Sequence, residues 1–337
     1  MSLEKFRSLL LPATEQALTK AVDAASAPGQ EALFRMITYH LGWEGKGSGP
    51  KAVGKRVRST LLLLTCAAAG GDWSLGLPAA ASVELLHNFS LIHDDIQDQS
   101  EMRRGRRTLW AMHGAAQAIN AGDAMFSLAH LSLTELAQTT DVNVYTQAAK
   151  LLSLTSLLLT QGQYLDLAYE GMQDLKVDDY WPMVWGKTGV LIRTCTQMGT
   201  LVAGMIGRQA KAFSVFGEKL GLAYQVHDDL LGIWGNPDEM GKSAHSDLLS
   251  GKKSLPVLYA LQKKGAFAKR WVNGGIAEAE VAELALLLES EGAREYTGHE
   301  AERLTAEALK ALDAAKPKGE AGLALAELAE ELGRREI

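Results

Sequence analysis

Two clusters of aspartates stand inside otherwise apolar stretches of the sequence. Asp94, Asp95 and Asp98 end the segment ASVELLHNFSLIHDDIQD, and Asp228 and Asp229 lie in GLAYQVHDDLLGIWG. Residues four apart on a helix share a face at about 5–6 Å, so Asp94 and Asp98 are predicted to point at one spot. Carboxylates this close repel one another unless a cation neutralises them, and oxygen-only clusters suit a hard ion. The sequence therefore predicts that both clusters bind Mg²⁺.

Basic residues are distributed around both acidic clusters. Lysine and arginine form charge-assisted hydrogen bonds with phosphate, so this distribution predicts a substrate that carries a diphosphate bound to Mg²⁺. The residues are Lys55, Arg56 and Arg58 in GKRVRS, Arg103 and Arg104 in MRRGRRT, Lys187 beside Thr188 in WGKTGV, and Lys242 and Lys252 after the second cluster.

The elements that must position these residues are predicted to be helices along the whole chain. Apolar residues recur at spacings of three and four, alternating patterns are scarce, and glycine and proline fall mostly between the periodic segments. We predict one all-α domain over 1–337, with 265–337 as a peripheral helical layer. Helices are predicted at 3–26, 30–41, 52–69, 77–98, 107–137, 142–170, 178–206, 209–233 and 254–264, with several short ones after 275.

Composition excludes several classes of protein. The chain has 337 residues, of which 47% are hydrophobic, and a net charge of −6, so it is not a disordered chain and lacks the basic balance that nucleic-acid binding needs. Only two cysteines are present, Cys66 and Cys195, both in apolar surroundings, which excludes a disulfide scaffold and predicts buried thiols. The N-terminus lacks a signal-peptide pattern and no apolar run reaches about 18 residues, so we expect a cytoplasmic protein without a transmembrane segment.

The motifs together resemble the trans-prenyl diphosphate synthase family over at least residues 54–258. GKRVRS resembles the family's GKRxRP, with Ser59 in place of proline, and HDDIQD followed by RRG resembles its first aspartate-rich motif, DDxxD. GQYLDL, WGKTG, YQVHDDLLGIWG and the segment ending in GKKSLP resemble further family segments in the same order. The resemblance implies an all-α isoprenoid synthase-type bundle around a central cavity, and a homodimer.

The resemblance also implies a reaction and a role for each matching residue. Isopentenyl diphosphate would condense with an allylic diphosphate in the presence of Mg²⁺, with three ions implied and Mn²⁺ able to substitute. The implied metal ligands are Asp94, Asp95, Asp98, Asp228 and Asp229; the implied ligands of isopentenyl diphosphate are Lys55, Arg58, His87 and Arg104. The implied ligands of the allylic diphosphate are Arg103, Lys187, Lys242 and Lys252, with Thr188 and Gln225 near the developing cation.

This sequence departs from the family pattern at two positions. Gly232 stands where many members have the third aspartate of the second motif, which predicts a weaker or rearranged third metal ion. His245 replaces a common glycine between Lys242 and Asp247, so the conformation of that loop and the placement of Lys252 are open.

Product length is predicted from the helix that carries the first acidic cluster. Phe89 lies five residues before Asp94 and Ser90 four before it, and one helical turn, about 5 Å, approximates one isoprene unit. In the family an aromatic residue at this position accompanies short products, so we expect geranylgeranyl diphosphate, with farnesyl or a longer polyprenyl diphosphate as the alternatives.

Three other functions fit individual parts of this sequence. A terpene cyclase shares the fold and the first motif, but the second motif here, DDLLGIWG, differs from the cyclase pattern. A nucleotide-binding loop is suggested by GPKAVGK, yet Arg56 replaces the Ser or Thr that would hold Mg²⁺. A phosphohydrolase is suggested by the doublets His93-Asp94 and His227-Asp228, but adjacent helical residues point about 100° apart.

Overall fold

The structure, a computed structural model, describes residues 2–24, 26–235 and 246–333, and the regular secondary structure within these ranges is helical apart from one short hairpin. The predicted all-α class is confirmed. The hairpin pairs β1 (Met102–Arg103) with β2 (Arg106–Arg107) in antiparallel register. The helices are α1 (Leu3–Ala24), α2 (Glu31–His40), α3 (Pro50–Val53), α4 (Val57–Ala69), α5 (Leu77–Gln97), α6 (Leu109–Thr134), α7 (Leu136–Thr139), α8 (Val142–Glu170), α9 (Val177–Val184), α10 (Val190–Val202), α11 (Gly207–Trp234), α12 (Ser246–Leu249), α13 (Leu255–Lys263), α14 (Ala266–Trp271), α15 (Val281–Ser290), α16 (Ala293–Ala315) and α17 (Gly319–Gly333).

Three of the differences between the predicted helices and the structure concern the site or the core. The segment predicted as one helix at 52–69 is broken around Gly54 and Arg56, which have φ of +81° and +44°. The segment predicted at 178–206 contains a π-helical turn, Trp185–Gly189, between α9 and α10. After residue 275 the prediction of short helices is wrong, because α16 has 23 residues. Its buried residues recur along the whole helix, so that it lines a core.

The chain divides into two compact units. The first comprises 1–154, 195–210 and 317–325, and the second comprises 155–194, 211–316 and 326–337. In the first unit, α5 packs against α6, α4 and α1. From Leu61 onward helix α4 is predominantly apolar, and its leucines Leu61 to Leu64 are fully buried, as expected for a helix segment surrounded by others. Cys66, also on α4, and Cys195 are buried free thiols, as predicted.

One segment, 73–97, is long and apolar enough to cross a membrane by length and composition, although the sequence had suggested none. Buried positions make up 61% of its most apolar window, because α5 packs inside the first unit. It also carries Glu84, His87 and the first aspartates. These features are those of a core helix that also carries charged and titratable side chains.

The core of the second unit forms around α11. Val226 and Leu230 of this helix are buried, and α9, α13 and α16 pack residues against them. The contributing buried residues include Tyr180, Met183, Leu255, Leu258, Ala301 and Leu304. Helix α16 thus shares the core that supports the second acidic cluster, while the single domain over 1–337 with a peripheral layer from 265 remains a prediction.

Candidate functional site

The first acidic cluster lies at the C-terminal end of α5. The N–H of Asp98 donates to the carbonyl of Asp94 at 2.8 Å, so these two residues stand one turn apart as predicted. Asp94 is half-buried and Asp98 is exposed, whereas Asp95 is 2% exposed. The cluster therefore presents two accessible carboxylates and one interior carboxylate.

The hairpin that follows α5 holds the interior carboxylate. Nε of Arg103, on β1, donates to Oδ1 of Asp95 at 2.8 Å, and Nη2 of the same guanidinium lies 2.8 Å from that oxygen in an ion pair. The N–H of Ser100 donates to the carbonyl of Asp95 at 3.0 Å and fixes the turn between the helix and the hairpin. A buried carboxylate requires such a partner, so the predicted diphosphate ligand Arg103 also anchors Asp95.

The arginines of GKRVRS divide into a structural one and a functional candidate. Arg56 is 5% exposed, donates from Nε to Glu15 at 2.6 Å, and lies 3.7 Å from a carboxylate oxygen of Glu84. Arg58 is half-buried, and its Nε is buried with no hydrogen-bond partner in the protein. Lys55 is exposed. An anionic ligand would supply the hydrogen-bond acceptor that the buried Nε of Arg58 lacks within the protein.

Positive charge converges on His87, in the middle of α5. Burial holds the pKa of its imidazole well below the usual value, and the guanidinium groups of Arg58 and Arg104 lower it further. Burial and the neighbouring Arg103 likewise lower the pKa of Arg104 to about 10. Neighbouring cations that destabilise one another's charge create a positive electrostatic potential, and this potential favours binding of an anion. The structure therefore brings together three of the four residues predicted to hold isopentenyl diphosphate.

Arg104 is held in place by the loop before α4. Its Nη1 donates to the carbonyls of Ala52 and Val53 at 2.9 and 3.1 Å. A Cβ on Gly54 would lie 2.8–2.9 Å from the guanidinium, and the φ of Gly54 is +81°, so only glycine suits this position. The glycine of the motif thus positions an arginine of the next motif.

His40 is a member of this basic group that the sequence did not reveal. It lines the same pocket as Arg103 and Arg104, and burial followed by the nearby arginines lowers its pKa to about 3. Its Nε2 is buried without a hydrogen-bond partner. Nothing in the local sequence, TYHLGW, distinguishes it from a core histidine, because its surroundings come from distant segments.

The second acidic cluster repeats the arrangement of the first. Asp228 is half-buried, and Asp229 is 2% exposed. Asp229 accepts hydrogen bonds from Tyr180 Oη at 2.8 Å, the N–H of Leu255 at 2.9 Å and Gln225 Nε2 at 3.0 Å. Burial raises the pKa of Asp229 to about 6, which Lys252 opposes. In both clusters the second aspartate is therefore an interior anchor.

Lys187 and Thr188 lie in the π-helical turn Trp185–Gly189. Such turns are rare and occur often at functional sites. Lys187 forms an ion pair with Asp166 of α8, a residue within GQYLDL for which the sequence predicts no role. Thr188 donates its hydroxyl proton to Gln225 Oε1 at 2.7 Å. Asp166 and Lys187 lie in separate motifs, so the sequence alone does not indicate that they pair.

One pocket in the second unit brings together two of the four residues predicted to hold the allylic diphosphate, Lys187 and Lys252. Lys187, Lys252, Gln225 and Asp229 line it together with Asp166. Lys242 and His245 lie outside the described residues.

The donor set fits Mg²⁺ without forming a complete protein cage. Among the residues that the structure describes, no three His, Cys, Asp or Glu side chains are grouped so as to hold a metal ion. Mg²⁺ is usually held by one or two carboxylates, with substrate phosphates and water completing its octahedron. Asp94 with Asp98, and Asp228 alone, present accessible carboxylate oxygens of the kind that Mg²⁺ prefers. The roles of Asp95 and Asp229 as direct ligands remain predictions.

Phe89, one of the two predicted chain-length residues, faces α6. The ring of Phe89 lies 5.1 Å from Phe126 and 4.7 Å from His93, while Ser90 donates its hydroxyl to the carbonyl of His87. A Cβ on Gly122 would lie 2.3 Å from the ring of His93, so that ring packs tightly against α6. This placement supports the view of His93 as a packing residue, not a metal ligand beside Asp94.

Comparison with known proteins decides the family. The sequence profile described as "Polyprenyl synthetase" matches residues 49–285. The chain belongs to the polyprenyl synthetase family. The resemblance inferred from its motifs, the isoprenoid synthase fold and the prediction of a prenyltransferase are thereby confirmed.

Relatives of this polyprenyl synthetase include enzymes with different products. It is 39% identical to the (2E,6E)-farnesyl diphosphate synthase of Mycobacterium bovis over 80% of this chain and 76% of that protein. It is 37% identical to the geranylgeranyl diphosphate synthase of Mycobacterium tuberculosis, over 95% and 90% of the two chains. The crystal structure of polyprenyl synthetase from Streptomyces coelicolor A3(2) aligns with a TM-score of 0.85 at 38% identity, covering 98% of both chains.

Proposed function

We propose that this chain is a Mg²⁺-dependent trans-prenyl diphosphate synthase that condenses isopentenyl diphosphate with an allylic diphosphate and releases diphosphate. The observation that carries the proposal is the presence of two separate basic groups, each beside an aspartate pair of the same layout. One group is Arg58, His87 and Arg104. The other is Lys187 and Lys252. A reaction between two diphosphates requires two anion sites.

The reaction proceeds by ionisation, condensation and elimination. The allylic C–O bond breaks and its electron pair leaves with diphosphate; the alkene of isopentenyl diphosphate then attacks the cation and forms the new C–C bond. Loss of a proton to the released diphosphate completes the product. Mg²⁺, held by Asp94, Asp98 and Asp228, would neutralise the charge that develops on the leaving group.

The chain's own residues supply binding, orientation and exclusion of water. Lys187 and Lys252 would bind the departing diphosphate, and such fixed charges stabilise it in the transition state. Because Thr188 donates its proton to Gln225, its oxygen lone pairs are left to stabilise the allylic cation. Gln225 in turn donates to Asp229, which fixes the amide orientation.

We propose geranylgeranyl diphosphate as the main product, with farnesyl diphosphate as the alternative. The contact between Phe89 and Phe126 supports a short product, because the two rings obstruct the face of α5 beyond Asp94. The farnesyl and geranylgeranyl synthases that the chain resembles have nearly equal identity, so identity does not separate these products.

The experiment that tests the function is incubation with isopentenyl diphosphate and dimethylallyl, geranyl or farnesyl diphosphate, with and without Mg²⁺, followed by chromatography of the products. Formation of a twenty-carbon diphosphate only with Mg²⁺ is expected. Absence of any condensation product, or cyclic hydrocarbon formed from geranylgeranyl diphosphate alone, would contradict the proposal.

We also propose that the enzyme is a cytoplasmic homodimer. Leu154, Leu157 and Tyr164 of α8 are 50%, 55% and 69% exposed and recur at spacings of three and seven. A second copy would cover such an apolar stripe. Light scattering at micromolar concentration should report twice the monomer mass, and a monomer would contradict the dimer.

A further inference from the structure

Lys253 is a buried lysine that the proposed reaction does not use directly. It is 9% exposed, and its Nζ donates to the carbonyl oxygens of Tyr169 at 2.9 Å, Glu170 at 3.3 Å and Met172. An ammonium group has three donors, so all three are directed at main-chain oxygens. The first two of these oxygens belong to the last turn of α8, where carbonyls lack helical partners and the helix dipole favours a cation.

The segment that contains Lys253 is fixed on both sides of it. The N–H of Lys252 donates to the carbonyl of Asp247 at 2.9 Å, and Gly251 has a φ of +71°. On the other side, the N–H of Leu255 donates to the buried carboxylate of Asp229 at 2.9 Å. Lys253 supplies the link from this segment to α8.

Helix α8 also holds the other lysine of the same pocket. Asp166, which forms the ion pair with Lys187, lies one turn before Glu170 on α8. Lys187 and Lys252 are therefore both anchored to the C-terminal part of one helix, Lys187 through Asp166 and Lys252 through its neighbour Lys253.

We infer that Lys253 is a positioning residue: its bonds to the end of α8 set the place of Lys252 relative to Lys187 for binding one diphosphate group. This inference rests on the proposed function for its substrate, an allylic diphosphate. The anion site itself is tested separately with inorganic pyrophosphate and Mg²⁺. Lys253 does not touch the substrate; it acts through Lys252.

The test compares Lys253→Met, which keeps the side-chain length without the ammonium group, with Lys253→Arg and with Lys269→Met, a change at an exposed lysine of α14. Binding of inorganic pyrophosphate with Mg²⁺ is measured by calorimetry. Loss of the charge-assisted bonds should weaken binding by about tenfold in Lys253→Met, with partial recovery in Lys253→Arg and no change in Lys269→Met. Lys253→Gln, which keeps an N–H donor, serves in the same comparison if Lys253→Met does not fold.

Steady-state kinetics provide a second readout that a purely structural role would not give. The KM for the allylic substrate should rise by about tenfold in Lys253→Met, while the KM for isopentenyl diphosphate stays within about twofold. Pyrophosphate binding that is unchanged in Lys253→Met, or equal rises in both KM values, would overturn the inference. If the wild-type protein binds pyrophosphate with this dependence on Lys253 but forms no prenyl product, the proposed function fails and the role of Lys253 stands.

Discussion

The carboxylate of Asp247 occupies the space beside Gly232. A Cβ built on Gly232 would lie 2.4 Å from Asp247 Oδ2 and 2.7 Å from its Cγ. Gly232 is the position at which the second motif lacks its third aspartate. A carboxylate thus stands next to this position although the motif does not supply one, and a side chain at 232 is incompatible with Asp247 as placed.

Restoring the missing aspartate should therefore harm this enzyme. Gly232→Asp is expected to lower the melting temperature and the activity, because the new side chain collides with Asp247 and adds a like charge. Gly232→Ala introduces the steric part alone and should give a smaller loss. Differential scanning fluorimetry and turnover measure both effects. A double variant, Gly232→Asp with Asp247→Gly, should recover stability; a Gly232→Asp protein as stable as the wild type would refute this placement of Asp247.

The aspartates within each motif should differ in what their removal costs. Asp94→Asn should reduce turnover by about two to three orders of magnitude at unchanged melting temperature, because an accessible metal ligand is lost. Asp95→Asn should also destabilise the fold by about 1–3 kcal/mol, because it leaves Arg103 without its buried ionic partner. Chemical unfolding and turnover at several Mg²⁺ concentrations distinguish the two. Near-normal turnover of Asp94→Asn would contradict the metal site.

The close approach of α8 to the π-helical turn predicts a sensitive glycine. A Cβ on Gly162 would lie 2.2 Å from the nitrogen of Lys187 and 2.4 Å from the carbonyl carbon of Gly186. Gly162→Ala should cost about 1–3 kcal/mol of stability and displace Lys187, so turnover should fall as well. Gly298→Ala is the matched control, since its Cβ meets nothing within 4 Å and alanine favours a helix. Wild-type stability of Gly162→Ala would show that the helices are not this close.

The sequence predicts those features that depend on spacing along one element. The pairing of Asp94 with Asp98 follows from helical periodicity alone, and the structure has it. Whether Arg56 or Arg58 faces an anion depends on which is buried against Glu15 and Glu84, and those residues come from other helices. A single motif does not contain that information.

Tertiary contacts also explain the features that the sequence left unassigned. Tyr180 and Asp166 contact predicted site residues only because folding brings them to Asp229 and Lys187. Gly162 of α8 and Gly186 of the π-helical turn also approach each other closely, and helix propensity does not register such a contact.

His40 should make stability depend on pH. Its pKa is lowered from 6.5 to about 3 by burial and by the charges of Arg103, Arg104, Arg56 and Arg106. Between these values the unfolded chain binds a proton at His40 and the folded chain does not. The free energy of unfolding is therefore highest above about pH 6.5, as far as His40 is concerned, and decreases as the pH falls toward 3.

Urea unfolding without substrate, at about pH 7 and about pH 5, measures this dependence. His40→Gln should lose less stability than the wild type over that interval, because glutamine takes up no proton. His113→Gln removes an exposed histidine of α6 and should retain the wild-type dependence. An identical pH dependence in His40→Gln and wild type would contradict the lowered pKa.

Phe89 and Phe126 should together limit the length of the product. Their rings lie 5.1 Å apart, one on α5 and one on α6, and a chain growing along α5 away from Asp94 meets them after about one helical turn. Phe89→Ala should shift the main product to one or more additional isoprene units, and Phe126→Ala should do so to a smaller extent. Leu91→Ala, on the opposite side of α5 at a rotation of about 200°, should leave the product unchanged. The products are compared by chromatography with farnesyl diphosphate as primer.

Unaltered product lengths in Phe89→Ala would exclude this pair of rings as the barrier. The same lengthening in Leu91→Ala would show that loosening of α5, and not removal of the ring, is responsible.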